Sequence, residues 1–213
     1  YGITQNGIPL LVAQGRVHSY EGHEFSVVTF PIRVITKMGI TNVVLTNAAG
    51  SVNPSYKPGD FVLLDDHINL MCRSPLKGIF NEQLGPRFVD LSEPYDLSLN
   101  AALKNKCLLE RPEIPLHQGV YTAFPGPNYE TRAEIRMARI LGGDVVGMST
   151  VPETIVAKQC GLKVTGLSCV TNYGCGITDE RPNHEDVSAM AKRRAPEFCW
   201  LLESLVGILA VKQ

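Results

Sequence analysis

The sequence predicts an α/β fold, a central mixed or mostly parallel β-sheet flanked by helices. Three observations carry this. Short apolar runs recur along the 213 residues and read as strands buried on both faces. Helix-period segments closed by glycine lie between them. No internal repeat or low-complexity tract interrupts the alternation.

The chain opens with Thr4-Gln5-Asn6-Gly7, where Asn-Gly supplies the positive φ angles of a tight hairpin turn. A strand follows at 9–13, "PLLVA". A helix is predicted over 30–39, with Ile32, Ile35 and Met38 near helical spacing and Gly39 as its stop. The next strand is "NVVLT", 42–46, and it runs into Asn47-Ala48-Ala49-Gly50. Three tiny side chains after an Asn read as a loop whose backbone approaches a ligand. Further strands are predicted at 60–66, 118–124, 144–148 and 163–171. The stretch 71–95 has no clear period and is too long for an ordinary connection, which marks it as functional or interfacial. A helix over 131–143 places Ile135, Met137, Ile140 and Leu141 mostly on one face. Another over 149–161 begins at a Ser-Thr cap, carries Pro152 in its first turn and stops at Gly161. A long C-terminal helix, about 184–210, should kink or break at Pro196.

Composition narrows the function. Apolar residues make up 44 % and charged residues 19 %, a globular balance. The net charge of −1 and the scattered Lys and Arg argue against nucleic-acid binding, which needs a positive footprint. No apolar run reaches the length of a membrane span, and no signal peptide is recognisable. The six Cys form no C-x-x-C and have no His at ligand spacing. They read as buried free thiols of a reducing cytoplasm rather than as a disulfide or zinc framework. Neither G-x-G-x-x-G nor a P-loop is present.

In α/β sheets ligands gather beyond strand ends. The strand ends here carry Arg16 and His18 with Tyr20, then Asn47 to Gly50, then Glu130, then Met148-Ser149-Thr150, then Thr171-Asn172. All are expected on one rim. Arg16, His18 and Ser149 suit an anion: a guanidinium fork, an imidazole donor and a hydroxyl where a helix begins. Glu130 and Asn172 suit a hydrogen-bonding ring, one accepting from a ring N–H, the other able to donate and accept.

Seven segments, in order, resemble the trimeric, low-molecular-mass purine nucleoside phosphorylases: "GRVHSYEG", "LTNAAGSVN", "GDFVLLDDHINL", "GPRFVDLSEPYD", "GPNYETRAE", "VGMSTVPETIVAKQCGLKV" and "VTN" with "NHEDV". The resemblance spans the chain and implies a three-layer nucleoside phosphorylase-like fold in a single domain, 1–213. It implies reversible phosphorolysis of 6-oxopurine nucleosides such as inosine and guanosine. Inorganic phosphate is then a co-substrate, and no metal or organic cofactor is needed. The implied phosphate residues are Arg16, His18, Ala48 and Ser149. Tyr20, Met148 and His184 would line the ribose, with Phe88 reaching the ribose of a neighbouring subunit in a homotrimer. Ala49, Gly50, Tyr129 (where the family usually has Phe), Glu130, Thr171 and Asn172 would surround the base. His18, Glu130, Asn172 and His184 would be the catalytic group.

The resemblance also implies purine salvage in the cytoplasm. Asn172 favours a 6-oxo group, whereas the related methylthioadenosine phosphorylases carry Asp there. Methylthioadenosine or adenosine phosphorolysis, a water-using nucleosidase and a non-catalytic nucleoside-binding homologue are the alternatives. The family's "GSGLG"-type phosphate loop has no counterpart here, so the chain is expected to lack N-terminal strands of the family domain. A sheet without them should show open edges.

Overall fold

The computed structural model describes residues 1–4, 7–78, 81–179 and 183–211. A hairpin opens the chain, β1 (Gly2–Ile3) pairing antiparallel with β2 (Pro9–Leu10). The main sheet comprises β3 (Asn42–Ser51), β4 (Phe61–Asn69), β5 (Leu116–Ala123), β6 (Val145–Gly147) and β7 (Lys163–Tyr173). Its order is β3-β6-β5-β4-β7, and it closes because β7 pairs with β3. The expected open edges are therefore absent from the main sheet. It is mixed, as expected: β3 and β7 run parallel to each other, as do β4, β5 and β6, and the two groups oppose one another.

Period-2 alternation explains the packing. On β4, Val62 and Leu64 enter one core with Phe25, Ile32, Tyr121 and Val156. Phe61 and Leu63 enter the other, with Leu99, Leu103, Leu201 and Leu205. The first core is covered by α1 (Phe25–Val28), α2 (Phe30–Lys37) and α5 (Val151–Gln159). The second is covered by α3 (Leu97–Glu110) and α7 (Ala195–Val211). Between them in sequence lie α4 (Arg132–Ile140), opened by a reciprocal Thr131–Glu134 capping box, and α6 (His184–Arg193).

Several expectations are corrected. The strand expected at 9–13 reduces to Pro9–Leu10, and Leu11 and Val12 are exposed, since that hairpin pairs with nothing in the main sheet. Of its turn, Gln5 and Asn6 lie outside the described residues. The helix at 30–39 is found and Gly39 ends it at φ 83°, but Met38 faces solvent while Ile32 is buried. On α4 the inward face is Ile135 with Ala138; Met137, Ile140 and Leu141 are exposed, because the helix presents only one narrow stripe to the sheet. Helix α5 starts as expected, but Thr150 does not cap it with its side chain. The hydroxyl is instead engaged by Asn47 Nδ2 at 2.9 Å. The C-terminal helix is broken at Arg194, with Pro196 in the first turn of α7. Of the thiols expected to be buried, Cys107 and Cys169 are, whereas Cys72 and Cys199 are exposed. Helix α3 lies where no element was expected; its start is fixed by Asp96, whose carboxylate accepts from Leu99 N–H at 3.0 Å. The 71–95 stretch contains one short 3₁₀ turn, Glu82–Leu84, among its described residues.

The largest correction concerns 47–50. These residues are not a loop. They continue β3, paired with β7 at Asn47↔Ser168, Ala48↔Cys169 and Ala49↔Val170, and then at Gly50↔Asn172 across a bulge.

Candidate active site

Because β3 runs on through 47–50, the candidate residues do not share a rim. Arg16, Thr150, Thr171 and Asn172 each meet β3 at a different position. At Thr46 the Arg16 guanidinium donates to the backbone carbonyl through Nη2. Its Nη1 donates to Glu153 Oε1 at 2.7 Å, an ion pair whose carboxylate is almost wholly buried. At Asn47 the side-chain amide holds Thr150 Oγ1, which lies 3.2 Å from Ser149 Oγ. The β3–β6 register is Gly50↔Val146 and Ser51↔Val145, and Met148 follows directly on β6. At Ala49 the carbonyl lies 3.3 Å from Thr171 Oγ1. At Gly50 the neighbour is the Asn172 amide. From Thr46 to Gly50 is four strand steps, about 13 Å.

The first end is a mostly apolar crevice that gathers His18, Val28, Met71, Met148, Ser149 and Glu153. Arg16 reaches it through Glu153. Ser149 sits where β6 hands over to α5, and its backbone N–H donates to the buried Tyr121 hydroxyl at 3.3 Å. Burial pushes the Tyr121 phenol up to about 12, so it stays a neutral partner. Thr150, fully buried, takes φ 69°, a genuine outlier for a β-branched residue. His18 stacks on Tyr20 with centroids 4.7 Å apart, and its Nδ1 pairs with Glu21 Oε1 at 2.8 Å. That pairing orients the ring and leaves Nε2 for another partner.

The second end is built by the bulge. Thr171 is the extra residue, and the inserted step re-aims Asn172 against Gly50. Thr171 Oγ1 donates to Asn172 Oδ1 at 2.9 Å, and Asn172 Nδ2 donates to the Tyr173 carbonyl at 3.0 Å. The amide is thus fixed in orientation while one N–H and one lone pair remain for a ligand. A Cβ on Gly50 would stand 3.2 Å from Asn172 Nδ2 and 3.3 Å from Val146 Cγ2. Glycine here answers to side-chain packing around Asn172.

Glu130 follows β5 on a loop pinned to Met148: a Cβ at Gly126 (φ 66°) would fall 2.5 Å from the Met148 sulfur. The Glu130 side chain is buried, and its Oε1 has no partner. Burial raises its pKa above the usual carboxylate range, a backbone hydrogen bond opposes this, and Glu134 adds to it. A buried acceptor without a partner is costly and awaits a donor.

The structure thus brings together Arg16, His18, Tyr20, Met148 and Ser149 at one end and Ala49, Gly50, Thr171 and Asn172 at the other, with Ala48 between. It does not join the remaining four, Glu130, His184, Tyr129 and Phe88, to either end. His184 stands exposed at the start of α6, Tyr129 is partly exposed, and Phe88 is 90 % exposed. Sequence reasoning missed Glu153, Glu21 and Tyr121. Glu153 carried one usable signal: a carboxylate directly after Pro152, in the first turn of a helix that is buried almost throughout.

Arg16 and Asn172 thus meet β3 four residues apart, at Thr46 and Gly50. Residues 2–207 match the family described as Phosphorylase superfamily, and the chain belongs to it. Its relatives sharpen the class. It is 44 % identical over 204 residues to purine nucleoside phosphorylase 1 of Geobacillus stearothermophilus, covering 96 % of this chain and 74 % of that one. It is 42 % identical to the purine nucleoside phosphorylase of Bos taurus, covering 98 % and 72 %. Among solved structures, a schistosoma purine nucleoside phosphorylase in complex with hypoxanthine superimposes with a TM-score of 0.87 at 41 % identity, over 91 % of this chain and 71 % of that one. Structures of the same kind in complex with guanosine and with adenosine align equally well. These relatives set the chain among the purine nucleoside phosphorylases. No helix among the described residues is long and apolar enough to cross a membrane.

Proposed function

We propose that this chain catalyses the reversible phosphorolysis of 6-oxopurine ribo- and deoxyribonucleosides, inosine and guanosine above all. The observation that carries the reading is the placement along β3 of the Arg16 guanidinium, at Thr46, and a fixed amide, at Gly50. Phosphate sits at the first end, met by Arg16, His18, Ser149 and the backbone at Ala48. The base sits at the second, between Ala49, Gly50, Thr171 and Asn172, with Glu130 accepting from a ring N–H and Tyr129 alongside. Tyr20 and Met148 flank the sugar between them, and His184 serves its 5′-hydroxyl.

A phosphate oxygen forms its bond to C1′ as the C1′–N9 bond breaks, and the configuration at C1′ inverts. The electron pair of the broken bond passes to the purine. The sugar gains oxocarbenium character between an anionic nucleophile and an anionic leaving group. Catalysis is then placement and electrostatics. The free N–H of Asn172 stabilises charge at N7 and the 6-oxygen. Glu130, pushed up by burial, is suited to share a proton with the N1 side. No residue here needs a metal or organic cofactor for this chemistry.

We further propose a cytoplasmic purine-salvage enzyme that works as a homotrimer, with exposed Phe88 covering the ribose of the adjoining subunit. A second reading, turnover of adenosine as well, draws on the adenosine complex of the schistosoma relative. The test is hypoxanthine release from inosine with and without phosphate, repeated with adenosine. Release that depends on phosphate supports the reading. Release without phosphate indicates a nucleosidase, and binding of inosine without release indicates a non-catalytic homologue.

A further inference from the structure

We infer that Glu153 is the positioning residue of anion capture, acting through Arg16; this rests on the reading that Arg16 takes phosphate. Three features carry it. Glu153 Oε1 accepts from Arg16 Nη1 at 2.7 Å while the Thr46 carbonyl accepts from Nη2, so two nitrogens of the fork are tied to two rigid elements. The carboxylate is only 4 % exposed and lines the same crevice as His18 and Ser149. Its second oxygen, Oε2, is buried with no hydrogen-bond partner.

A buried, half-satisfied carboxylate in an anion crevice is costly on two counts. It repels the ligand, and it leaves a lone-pair-rich oxygen dry. Its place in the first turn of α5 offers a structural account, since a carboxylate there meets the positive end of the helix. That account needs no contact with Arg16. The geometry adds something more specific. An arginine side chain has many rotamers, and a fork loose at the crevice would have to be ordered each time an anion arrives. Glu153 and Thr46 order it beforehand. Nε and one N–H on each terminal nitrogen remain for the anion. The partial neutralisation of Arg16 is the cost of that order, and it also weakens Arg16 as a general anion sink.

The experiment measures phosphate KM and kcat with inosine, and phosphate affinity by calorimetry, for the full chain and for Arg16→Ala, Glu153→Ala, Glu153→Gln and the Arg16→Ala/Glu153→Ala double variant. Glu153→Ala is expected to raise phosphate KM about tenfold, the scale of a misplaced binding group, with kcat at saturating phosphate and inosine KM held within twofold. Glu153→Gln keeps an acceptor oxygen and restores most of the affinity. The double variant binds phosphate no more weakly than Arg16→Ala alone. A Glu153→Ala enzyme with unchanged phosphate KM, while Arg16→Ala is impaired, overturns the inference and leaves the functional reading standing. An additive loss in the double variant also overturns it, because Glu153 then acts without Arg16. Unchanged phosphate affinity in Arg16→Ala refutes the underlying reading instead. Should Glu153→Ala not fold, Glu153→Asp, which withdraws the oxygen from Nη1, is expected to show the same selective rise, and its absence counts against the inference.

Discussion

Replacing Gly50 by alanine tests the claim that β3 sets the position of Asn172. The new methyl would sit 3.2 Å from Asn172 Nδ2 and 3.3 Å from Val146 Cγ2. Both contacts are closer than ordinary van der Waals separation. The backbone at Gly50 is not in the left-handed region, so the effect is purely one of space. Val146 is buried in a packed cluster with Val52 and Ile135 and has little room to retreat. The Asn172 amide must therefore shift by a few tenths of an ångström, against the hydrogen bonds from Thr171 and to Tyr173. Overpacking of this kind costs about 1–3 kcal/mol. One methyl and two modest overlaps fall at the lower end, a fall in Tm of about 2–4 °C for a chain of this size. The catalytic cost should be larger, because an amide aimed at a developing charge is sensitive to placement. A drop of about 10- to 100-fold in kcat/KM for inosine is expected. Phosphate KM should stay unchanged, since the Arg16 end lies about 13 Å along the strand. Steady-state kinetics with each substrate varied in turn gives both numbers. Unchanged kcat/KM for inosine, or a phosphate KM that rises in step with the loss, would refute the reasoning.

Asn172→Asp replaces a donor by an acceptor and is expected to lower kcat/KM for inosine by at least about 100-fold while raising that for adenosine; a two-substrate panel reads it. Glu130→Gln should abolish inosine turnover yet stabilise the fold near neutral pH. Burial raises the folded pKa of Glu130, so the folded protein binds the extra proton and loses stability as pH rises from the ordinary glutamate value through the raised one. The Tm gain of the variant should accordingly vanish below that window, as thermal melts across pH would show. Tyr121→Phe deprives the Ser149 N–H of its buried acceptor. A loss of about 1–3 kcal/mol in urea unfolding is expected, together with a raised phosphate KM.

Much of the fold was legible because strands buried on both faces announce themselves as apolar runs; 60–66 and 163–171 fall within β4 and β7 apart from one residue, Asp60. The breakdown at Asn47 to Gly50 is instructive. Small and polar residues there resemble loop chemistry, but the pairing partner is β7, far along the chain, and its bulge at Thr171 requires slight neighbours. Local propensity cannot report a long-range register. Strand direction was equally hidden, so residues expected on one rim meet β3 at different positions along its length. Arg16, His18, Ser149, Glu130 and Asn172 were readable by their chemistry and by family resemblance. Glu153 was not, because the first turn of a helix is an ordinary place for a carboxylate and only the fold brings Arg16 to it.

A site laid along a single strand has its length written in residues. Neither end of β3 can drift relative to the other without breaking the β7 ladder, and a one-residue slip would turn every side chain to the opposite face. In the proposed reading the gap between anion and ring is therefore a fixed ruler, indifferent to loop motion. In that reading the start of α6 with His184 and the loop with Phe88 can vary in what they admit around the sugar, while the distance over which two reactants must meet stays constant. Divergence into new substrates is channelled to the side chains at the two termini of the ruler. A nucleoside with a longer spacer between its reacting carbon and its base would need a different strand.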